Sequence, residues 1–412
     1  MRYLITLSFL GLSPVAAAQG SLVIPSGQFL ILNTDQNPTL ILDELIVEEG
    51  AFLRITGRQP LIVLAGQRIV LDGEINASGL DGPDATTPLP FYSASPTAPG
   101  IGTAAGGSGG QGSPKDFGQS EMGAPGLGIF DIAVPWGGRG GESGYLPSNN
   151  SLDRQGAGGG GGRLAPDEAI AGSIEDPENR GLVAAAGAPG SLSAFSAVTD
   201  TLTPAGGAPG DPVFVDGDPA NDFFGFEFGP SGLIAGELQF PLAGSGGGGG
   251  GDSLRSDTFP LQQLSPISPE LAGGGGGAGG GLVLMATLSF EVGPKGRLVA
   301  DGGRGGRGES SNFLNGIGGA GGGGSGGMIL VQAATLDLSD ATSECFSARG
   351  GYGGPGMDLE FFLSNHGGMG GPGLVQLHAP DPALVQLPQG TTLEELSAPD
   401  AKILQPLPVV LP

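Results

Sequence analysis

The chain contains ILDELIVEEGAF at Ile41–Phe52 and, 23 residues further on, LAGQRIVLDGEI at Leu64–Ile75. In both copies, short apolar runs alternate with polar residues and lead into a turn glycine, Gly50 in the first and Gly73 in the second. Alternation with a period of two residues is typical of β-strands that bury one face. The repeat therefore predicts strands stacked at intervals of 23 residues.

A similar apolar strand recurs in the C-terminal part at twice this interval. Leu282–Met285 returns as Met328–Val331 and again as Leu374–Leu377. Helices are not expected, because glycine and β-branched residues dominate and no long stripe with a period of 3.6 residues occurs. A constant period indicates one structural unit stacked on its neighbours. We therefore predict an all-β fold, a parallel β-solenoid (β-helix) whose inward side chains Leu284, Leu288, Phe290 and Leu298 stack on Leu330, Leu336, Leu338 and Phe346.

Glycine makes up 85 of the 412 residues, much of it in the phrase Gly-Gly-x-Gly-Gly and in the tracts 246–251 and 273–281. A threefold spacing matches the three residues per turn of an extended polyproline- or polyglycine-II-type helix. Several such helices can lie close together and bond backbone to backbone, because glycine has no side chain to separate them. A flexible linker is the alternative that composition leaves open.

Residues 1–18 are predicted to be a signal peptide. Arg2 gives a positive start, Leu4–Leu12 is an apolar run too short to span a membrane, and Ala16–Ala18 offers a cleavage site. The exported chain would then begin at Gln19. This pattern predicts a secreted or cell-surface protein.

The remaining chain divides by composition into four parts. We predict N-terminal β-helix coils over 19–80, an irregular insertion rich in glycine and proline over 81–281, C-terminal coils over 282–387 and an extended tail over 388–412. Inside the insertion, alternating phenylalanines and a turn signal predict a β-hairpin near 223–242.

Charge and cysteine content limit the partners and the chemistry. Sixteen basic and 41 acidic residues give a formal net charge of −25, which excludes nucleic acid because phosphate binding needs a basic surface. No later apolar run predicts a membrane span. The single cysteine, Cys345, has no partner within the chain for a disulfide, and its apolar neighbours predict a small buried hydrophobe.

A resemblance follows from these residues. The segment IVLDGEINASG at Ile69–Gly79, the glycine tracts and LVLMATLSFEV at Leu282–Val292 resemble glycine-rich, secreted right-handed parallel β-helix proteins of bacteria. Most members of that group have no assigned activity. The resemblance covers about residues 39–79 and 281–387, and it implies a fold more than a function.

Motifs for chemistry are few. Gly-x-Ser-x-Gly, the form of a hydrolase nucleophile elbow, occurs at 106–110 and 323–327, but such matches are expected by chance in a glycine-rich chain. His366 and His378 lack nearby carboxylates or cysteines that would make a zinc site, so exposed or packing roles are expected. The sequence therefore predicts no catalytic residue, no cofactor and no metal site.

One acidic segment leaves an alternative open. Its oxygen-bearing side chains are grouped around turns, as a calcium loop requires, although their spacing is not that of an EF-hand. A solvated acidic turn is the default interpretation. The residues are Asp211, Asp216, Asp218, Asn221 and Asp222.

These observations favour a secreted, non-enzymatic structural or adhesive protein of the cell surface or matrix, with surface polysaccharide or matrix components as candidate partners. The alternative is a carbohydrate-active β-helix enzyme, a polysaccharide lyase or hydrolase. Such a site needs carboxylates and basic residues that converge on an exposed sheet. The predicted coils carry only isolated acidic groups, namely Asp72, Glu74, Glu291 and Asp337.

Overall fold

The computed structural model describes residues 20–85, 95–114, 121–142, 156–164, 184, 205–229, 232–252, 271–311, 316–359, 362–399 and 401–405. The predicted signal peptide lies outside these residues, as do the end of the predicted tail and the turn residues 230–231 of the predicted hairpin.

Two large parallel sheets contain most of the strands, which are numbered along the chain. The eight-stranded sheet follows the order β1 (Leu22–Ile24), β3 (Thr39–Val47), β5 (Leu61–Leu71), β9 (Leu282–Val292), β13 (Met328–Asp337), β17 (Leu374–His378) and β20 (Ala401–Leu404), and β18 (Val385–Gln386) also pairs with β13. The six-stranded sheet follows the order β19 (Ser397–Ala398), β14 (Phe346–Ser347), β10 (Arg297–Val299), β6 (Glu74–Asn76), β4 (Phe52–Thr56) and β2 (Phe29–Asn33). Every pairing within these two sheets is parallel.

The remaining elements are short. Three antiparallel pairs join β7 (Phe226–Gly229) to β8 (Gly232–Ala235), β11 (Ser310–Ser311) to β12 (Gly316–Ile317) and β15 (Met357–Leu359) to β16 (Phe362–Ser364). The pair β7–β8 lies where the sequence predicts a hairpin. Helix is limited to α1 (Leu393–Leu396) and the 3-10 turns Ile129–Asp131 and Pro382–Leu384 among the described residues.

The main core lies between the two large sheets. Their inner faces contribute one continuous cluster of buried side chains, in which Phe290 of β9 stacks on Phe346 of β14 with ring centroids 6.3 Å apart. Residues with the same register on neighbouring strands fill this layer, for example Leu53, Ile75 and Leu298, each at most 1% exposed. Burial of this apolar surface is the dominant favourable term in folding.

The prediction of a parallel β-solenoid is wrong. The strands form two large parallel sheets and not a β-helix, and in the 46-residue repeats long glycine-rich segments such as 300–309 and 318–327 form no strand. The spacing of 46 residues is nevertheless the strand register, since Met328 pairs with both Leu282 and Leu374. Periodicity therefore predicted which strands are neighbours but not the architecture that joins them.

Glycine segments form a second ordered region, which we call the glycine bundle, around the central segment 244–252. Every third residue of this segment donates its N–H to the same neighbouring segment. Residues 244, 247 and 250 donate to the carbonyls of 280, 277 and 274, and residues 246, 249 and 252 donate to those of 127, 124 and 121. Residues 248 and 251 donate to the carbonyls of 160 and 157. Its carbonyls accept from 107–113, 138–141 and 319–325. Each segment has three residues per turn, so the central one is bonded to six neighbours.

The sequence left ordered packing and flexible linkers as alternatives, and the hydrogen bonds decide for ordered packing in the described tracts. The glycines of 246–251 and 273–281 are buried. A Cβ atom on Gly248 would lie 2.0 Å from the carbonyl oxygen of Arg139, so the neighbouring backbone leaves no room for any side chain. The threefold glycine pattern is thus a packing requirement.

Three predicted inward positions differ in the structure: Leu284 and Leu330 belong to a second apolar cluster and not to the main core, and Leu288 is exposed. Leu288 is 60% exposed, because the core-facing positions of β9 change from Val283 and Met285 to Phe290 and Val292, and the alternation is interrupted between them. Strand β5 contains an extra residue near Gly66, so the register changes from Leu42↔Ala65 to Glu44↔Arg68. The buried positions of β5 stay in phase across this shift, whereas those of β3 change from Leu42 to Leu45 and Val47.

Candidate functional site

The motif-like serines lie inside the glycine bundle. Ser325 is completely buried and its Oγ accepts a hydrogen bond from the N–H of Ser245 at 2.8 Å. The Oγ of Ser108 accepts one from the N–H of Gly102 at 3.3 Å. Both hydroxyls therefore take part in backbone packing, in agreement with the chance interpretation of Gly-x-Ser-x-Gly.

The two histidines have different structural roles. The Nδ1 atom of His366 accepts a hydrogen bond from the N–H of Gly356 at 3.1 Å, so this ring fixes a turn beside the glycine bundle. His378 ends β17, and its burial lowers the pKa of its imidazole to about 4. A neutral, largely buried ring is a packing group at physiological pH.

Cys345 behaves as the sequence predicts. The thiol is 1% exposed, contacts the carbonyl oxygen of Leu396 at 3.4 Å, and belongs to the main core. Burial raises the pKa of its thiol to about 12, so the unreactive protonated form is present at neutral pH. The prediction of a small buried hydrophobe is confirmed.

The acidic segment is only partly brought together. Asp216 and Asp222 lie beside Glu237, which follows β8, and one carboxylate oxygen from each lies within 4.8 Å of the others. Asp211 lies elsewhere and pairs with Arg139 at 3.5 Å. The sequence missed Glu237 because it lies fifteen residues beyond Asp222, across the β7–β8 pair.

Hydrogen bonds organise this cluster of Asp216, Asp222 and Glu237. Asn221 Nδ2 and the N–H of Asp218 donate to Asp216 at 2.7 and 2.8 Å, and these two bonds lower the pKa of its carboxyl. Glu237 Oε1 accepts from the N–H of Val215 at 2.9 Å. Among the described residues, the buried Glu237 Oε2 and Asn221 Oδ1 have no hydrogen-bond partner. Oxygens of this kind are the ligands that calcium prefers.

A basic side chain already lies beside the cluster. Lys402 Nζ donates to the carbonyl of Ala220 at 3.2 Å and sits 4.3 Å from the ring centroid of Phe223. Burial raises the pKa of Asp222, the charges of Glu237 and Asp216 raise it further, and Lys402 opposes the shift. Burial likewise lowers the pKa of Lys402, against the nearby carboxylates. The ammonium thus neutralises part of the negative charge that a bound cation would otherwise offset.

A denser set of polar side chains lies on the outer face of the six-stranded sheet, which we call the polar face. Arg297 Nη1 lies 3.5 Å from Glu74 Oε2, and Glu74 Oε1 accepts from Asn76 Nδ2 at 2.8 Å. Arg54 in turn donates to Asn76 Oδ1 and, at 2.8 Å, to the carbonyl of Ser78. Strand alternation places these groups outward, since Leu53, Ile75 and Leu298 between them point into the core.

The polar face continues towards the glycine bundle. Asp301 Oδ1 accepts from Ser347 Oγ at 2.6 Å and from the N–H of Arg349 at 2.7 Å, and Arg349 pairs with Glu344. In the next turn of the glycine segment, Arg304 is exposed and its N–H donates to Asp81 at 2.7 Å. Fixed carboxylates and guanidinium groups thus alternate along one surface.

The four acidic residues singled out from the sequence lie on different surfaces of the protein. Glu74 belongs to the polar face, whereas Glu291 and Asp337 are register partners on β9 and β13 of the other sheet. Asp72 lies in the turn after β5, where burial and then the charges of Glu49, Glu291, Asp340 and Glu48 raise its pKa. The sequence did not indicate that Arg54 and Arg297 meet around Asn76 and Glu74, because β4, β6 and β10 are distant in the chain.

Comparisons with protein-family models, curated proteins and solved structures found no match to this chain. The resemblance to glycine-rich bacterial β-helix proteins therefore stays a prediction from the sequence. Within the described residues, no helix has the length and hydropathy of a membrane span.

Proposed function

We propose that the protein is a secreted, non-enzymatic structural or adhesive component of the cell surface or matrix, and that it contacts polysaccharide through the polar face. The observation that carries the proposal is the polar network on that face, from Arg54 through Asn76 and Glu74 to Arg297. Planar carboxylate, amide and guanidinium groups held in place donate to and accept from sugar hydroxyls without first losing side-chain freedom.

The charge balance of this face favours a neutral polymer. The chain as a whole carries −25, but the arginines of the polar face lie beside carboxylates and cancel most of the local charge. A neutral polysaccharide is not repelled by the acidic remainder of the protein, whereas an acidic one is. The glycine bundle supports the proposal, because its hydrogen-bonded backbone keeps the neighbouring side chains of the polar face in fixed positions.

Co-sedimentation with insoluble neutral polysaccharides, together with affinity electrophoresis in soluble ones, tests this proposal. We expect the wild-type protein to bind, and Arg297→Ala to weaken binding at least about tenfold, since a hydrogen bond to a charged group contributes about 1.5–3 kcal/mol. Arg68→Ala is the matched control, because Arg68 forms a similar pair with Glu44 at 2.9 Å on the other sheet.

The same samples test the non-enzymatic part. Reproducible depolymerisation of a neutral or acidic polysaccharide, abolished by Glu74→Gln or Asp301→Asn, would overturn it. Equal binding by wild type and Arg297→Ala would show that polysaccharide does not bind at the polar face. Export is tested by sequencing the N-terminus of the protein secreted by a bacterial host, which we expect to begin at Gln19.

A further inference from the structure

Within the part of the chain that the structure describes, the two large sheets end at the same place, and their first strands have no neighbour on the outer side. β1 is the edge of the eight-stranded sheet and β2 is the edge of the six-stranded sheet, and a short turn at 25–28 joins them. No described strand pairs with the outer side of either one. Unpaired backbone donors and acceptors on an edge strand are a template for pairing with another chain.

Apolar side chains are exposed at this edge. Phe29 is 62% exposed, Ile31 58%, Val23 43% and Leu30 40%. Leu30 is the register partner of Leu53, which is 1% exposed, so Leu30 is an inward residue that lacks a covering strand on its other side. The core is therefore open at the β1–β2 edge.

The opposite end of the sheets is closed differently. The last strand of the six-stranded sheet, β19, lies beside the short helix α1, the last strand of the other sheet, β20, lies beside β7, and Leu396 and Leu404 are completely buried. Proteins commonly blunt exposed edges with charged residues or proline. Strands β1 and β2 contain neither, and residues 20–34 include no charged side chain.

We propose that the β1–β2 edge is the interface of a homodimer, in which two copies meet edge to edge about a twofold axis. A neutral, apolar surface is the part of a chain with net charge −25 that a second copy approaches with least repulsion. A twofold axis pairs β1 with β1 and β2 with β2 of the second copy, so both sheets continue and Leu30 becomes covered. This interface borders the polar face, because Ile31 is the register partner of Arg54, but it pairs backbone edges and does not depend on polysaccharide binding.

Sedimentation velocity over a concentration series tests the dimer. We expect wild type to be dimeric and Ile31→Lys to raise the dimer dissociation constant at least about tenfold, because it places two like charges in an apolar interface. Leu288→Lys is the matched control, since Leu288 is similarly exposed but lies on the outer face of β9. Added sodium chloride should strengthen the wild-type dimer, because salt screens the repulsion between two acidic bodies.

Three results would overturn the proposal. They are a wild-type monomer at every concentration, a dimer that Ile31→Lys leaves unchanged, and assemblies that grow beyond two copies. A monomer whose chain still carries residues 1–18 would assign the edge to that segment instead. Arg297→Ala should remain dimeric, which separates failure of this interface from failure of polysaccharide binding.

Discussion

Gly248→Ala is expected to destabilise the protein strongly, although it adds only one methyl group. The new Cβ would lie 2.0 Å from the carbonyl oxygen of Arg139, and real Cβ atoms essentially never come within 3.0 Å of such an atom. The neighbouring segment must therefore move by about 1 Å, which a close-packed interior resists.

The hydrogen bonds around this contact give the magnitude. Gly160 N–H donates to the carbonyl of Arg139 at 2.8 Å, and the segment containing Arg139 donates from Gly138 and Gly141 to the carbonyls of Gly246 and Gly249. Three bonds are strained or broken when this segment moves. At about 1 kcal/mol for each bond, the loss is about 3 kcal/mol, a large share of the stability of an ordinary domain.

Urea denaturation followed by far-UV circular dichroism measures the effect. Gly66→Ala is the control, because Gly66 lies in β5, has no positive φ, and its nearest Cβ contact would be an ordinary 3.7 Å. We expect this control to be neutral or to stabilise the protein by up to about 1 kcal/mol. If Gly248→Ala is as stable as Gly66→Ala, the argument that close backbone packing selects glycine in the bundle is refuted.

Three further predictions concern the core, the pH response and the acidic cluster. Leu330→Asp buries an unpaired charge at a site 6% exposed and should cost about 3 kcal/mol or more, whereas Leu288→Asp, at a site 60% exposed, should be near neutral; equal thermal midpoints would contradict this. Burial lowers the pKa of His378 from 6.5 to about 4, so the neutral ring makes its full contribution to the free energy of unfolding above pH 6.5. As the pH falls from 6.5 to 4, the free energy of unfolding of wild type should fall by up to about 3 kcal/mol more than that of His378→Gln. Parallel urea midpoints for the two proteins across that range would refute the assignment. Millimolar calcium should raise the melting temperature more than sodium chloride of equal ionic strength, and Glu237→Gln should remove more of the gain than Asp218→Asn, because Asp218 lies outside the three-carboxylate group. Equal shifts in both salts would leave the cluster a solvated turn.

The sequence predicted local alternation well and global architecture poorly. Leu282, Met328 and Leu374 are register partners as their spacing indicates, because hydrophobic patterning specifies which strands pair. The extra residue near Gly66 was invisible to a repeat of 23, so Ile46, expected to match Ile69, instead pairs with Val70. A bulge of one residue leaves the composition unchanged, but here it moves the buried positions of β3 from Leu42 to Leu45 and Val47.

The candidate sites were harder to predict for a related reason. The cluster around Asp216 needs Glu237, and the polar face needs Arg54 beside Asn76 and Arg297 beside Glu74. These contacts follow from strand register and from the long excursion between β6 and β9, neither of which is written in any local motif. Burial of Cys345, by contrast, was predictable because it depends on the apolar residues next to it in the sequence, such as Phe346 at the start of β14.

The sheets and the glycine bundle are stabilised in different ways. In the sheets, side chains drive folding by leaving water, and the register of β9 against β13 is set by rows of Val, Leu and Met. In the bundle there are few side chains to bury, so close contact between backbones must come from hydrogen bonds repeated every third residue, as along 244–252. Ordering glycine costs more conformational entropy than ordering any other residue, so an isolated segment of this kind would not stay folded. Joining the bundle to the sheets resolves this, since β9, β13 and β17 each fix the end of the glycine segment that leads into them. Met328, for example, donates its N–H to the carbonyl of Gly281, and Leu374 donates to that of Gly327, directly where a glycine tract becomes a strand.

We therefore expect the bundle and the sheets to unfold together, and hydrogen exchange at Gly248 to match that at Val331. Much faster exchange at Gly248 would show that the bundle opens on its own, and the proposed role of the sheets in ordering it would fail.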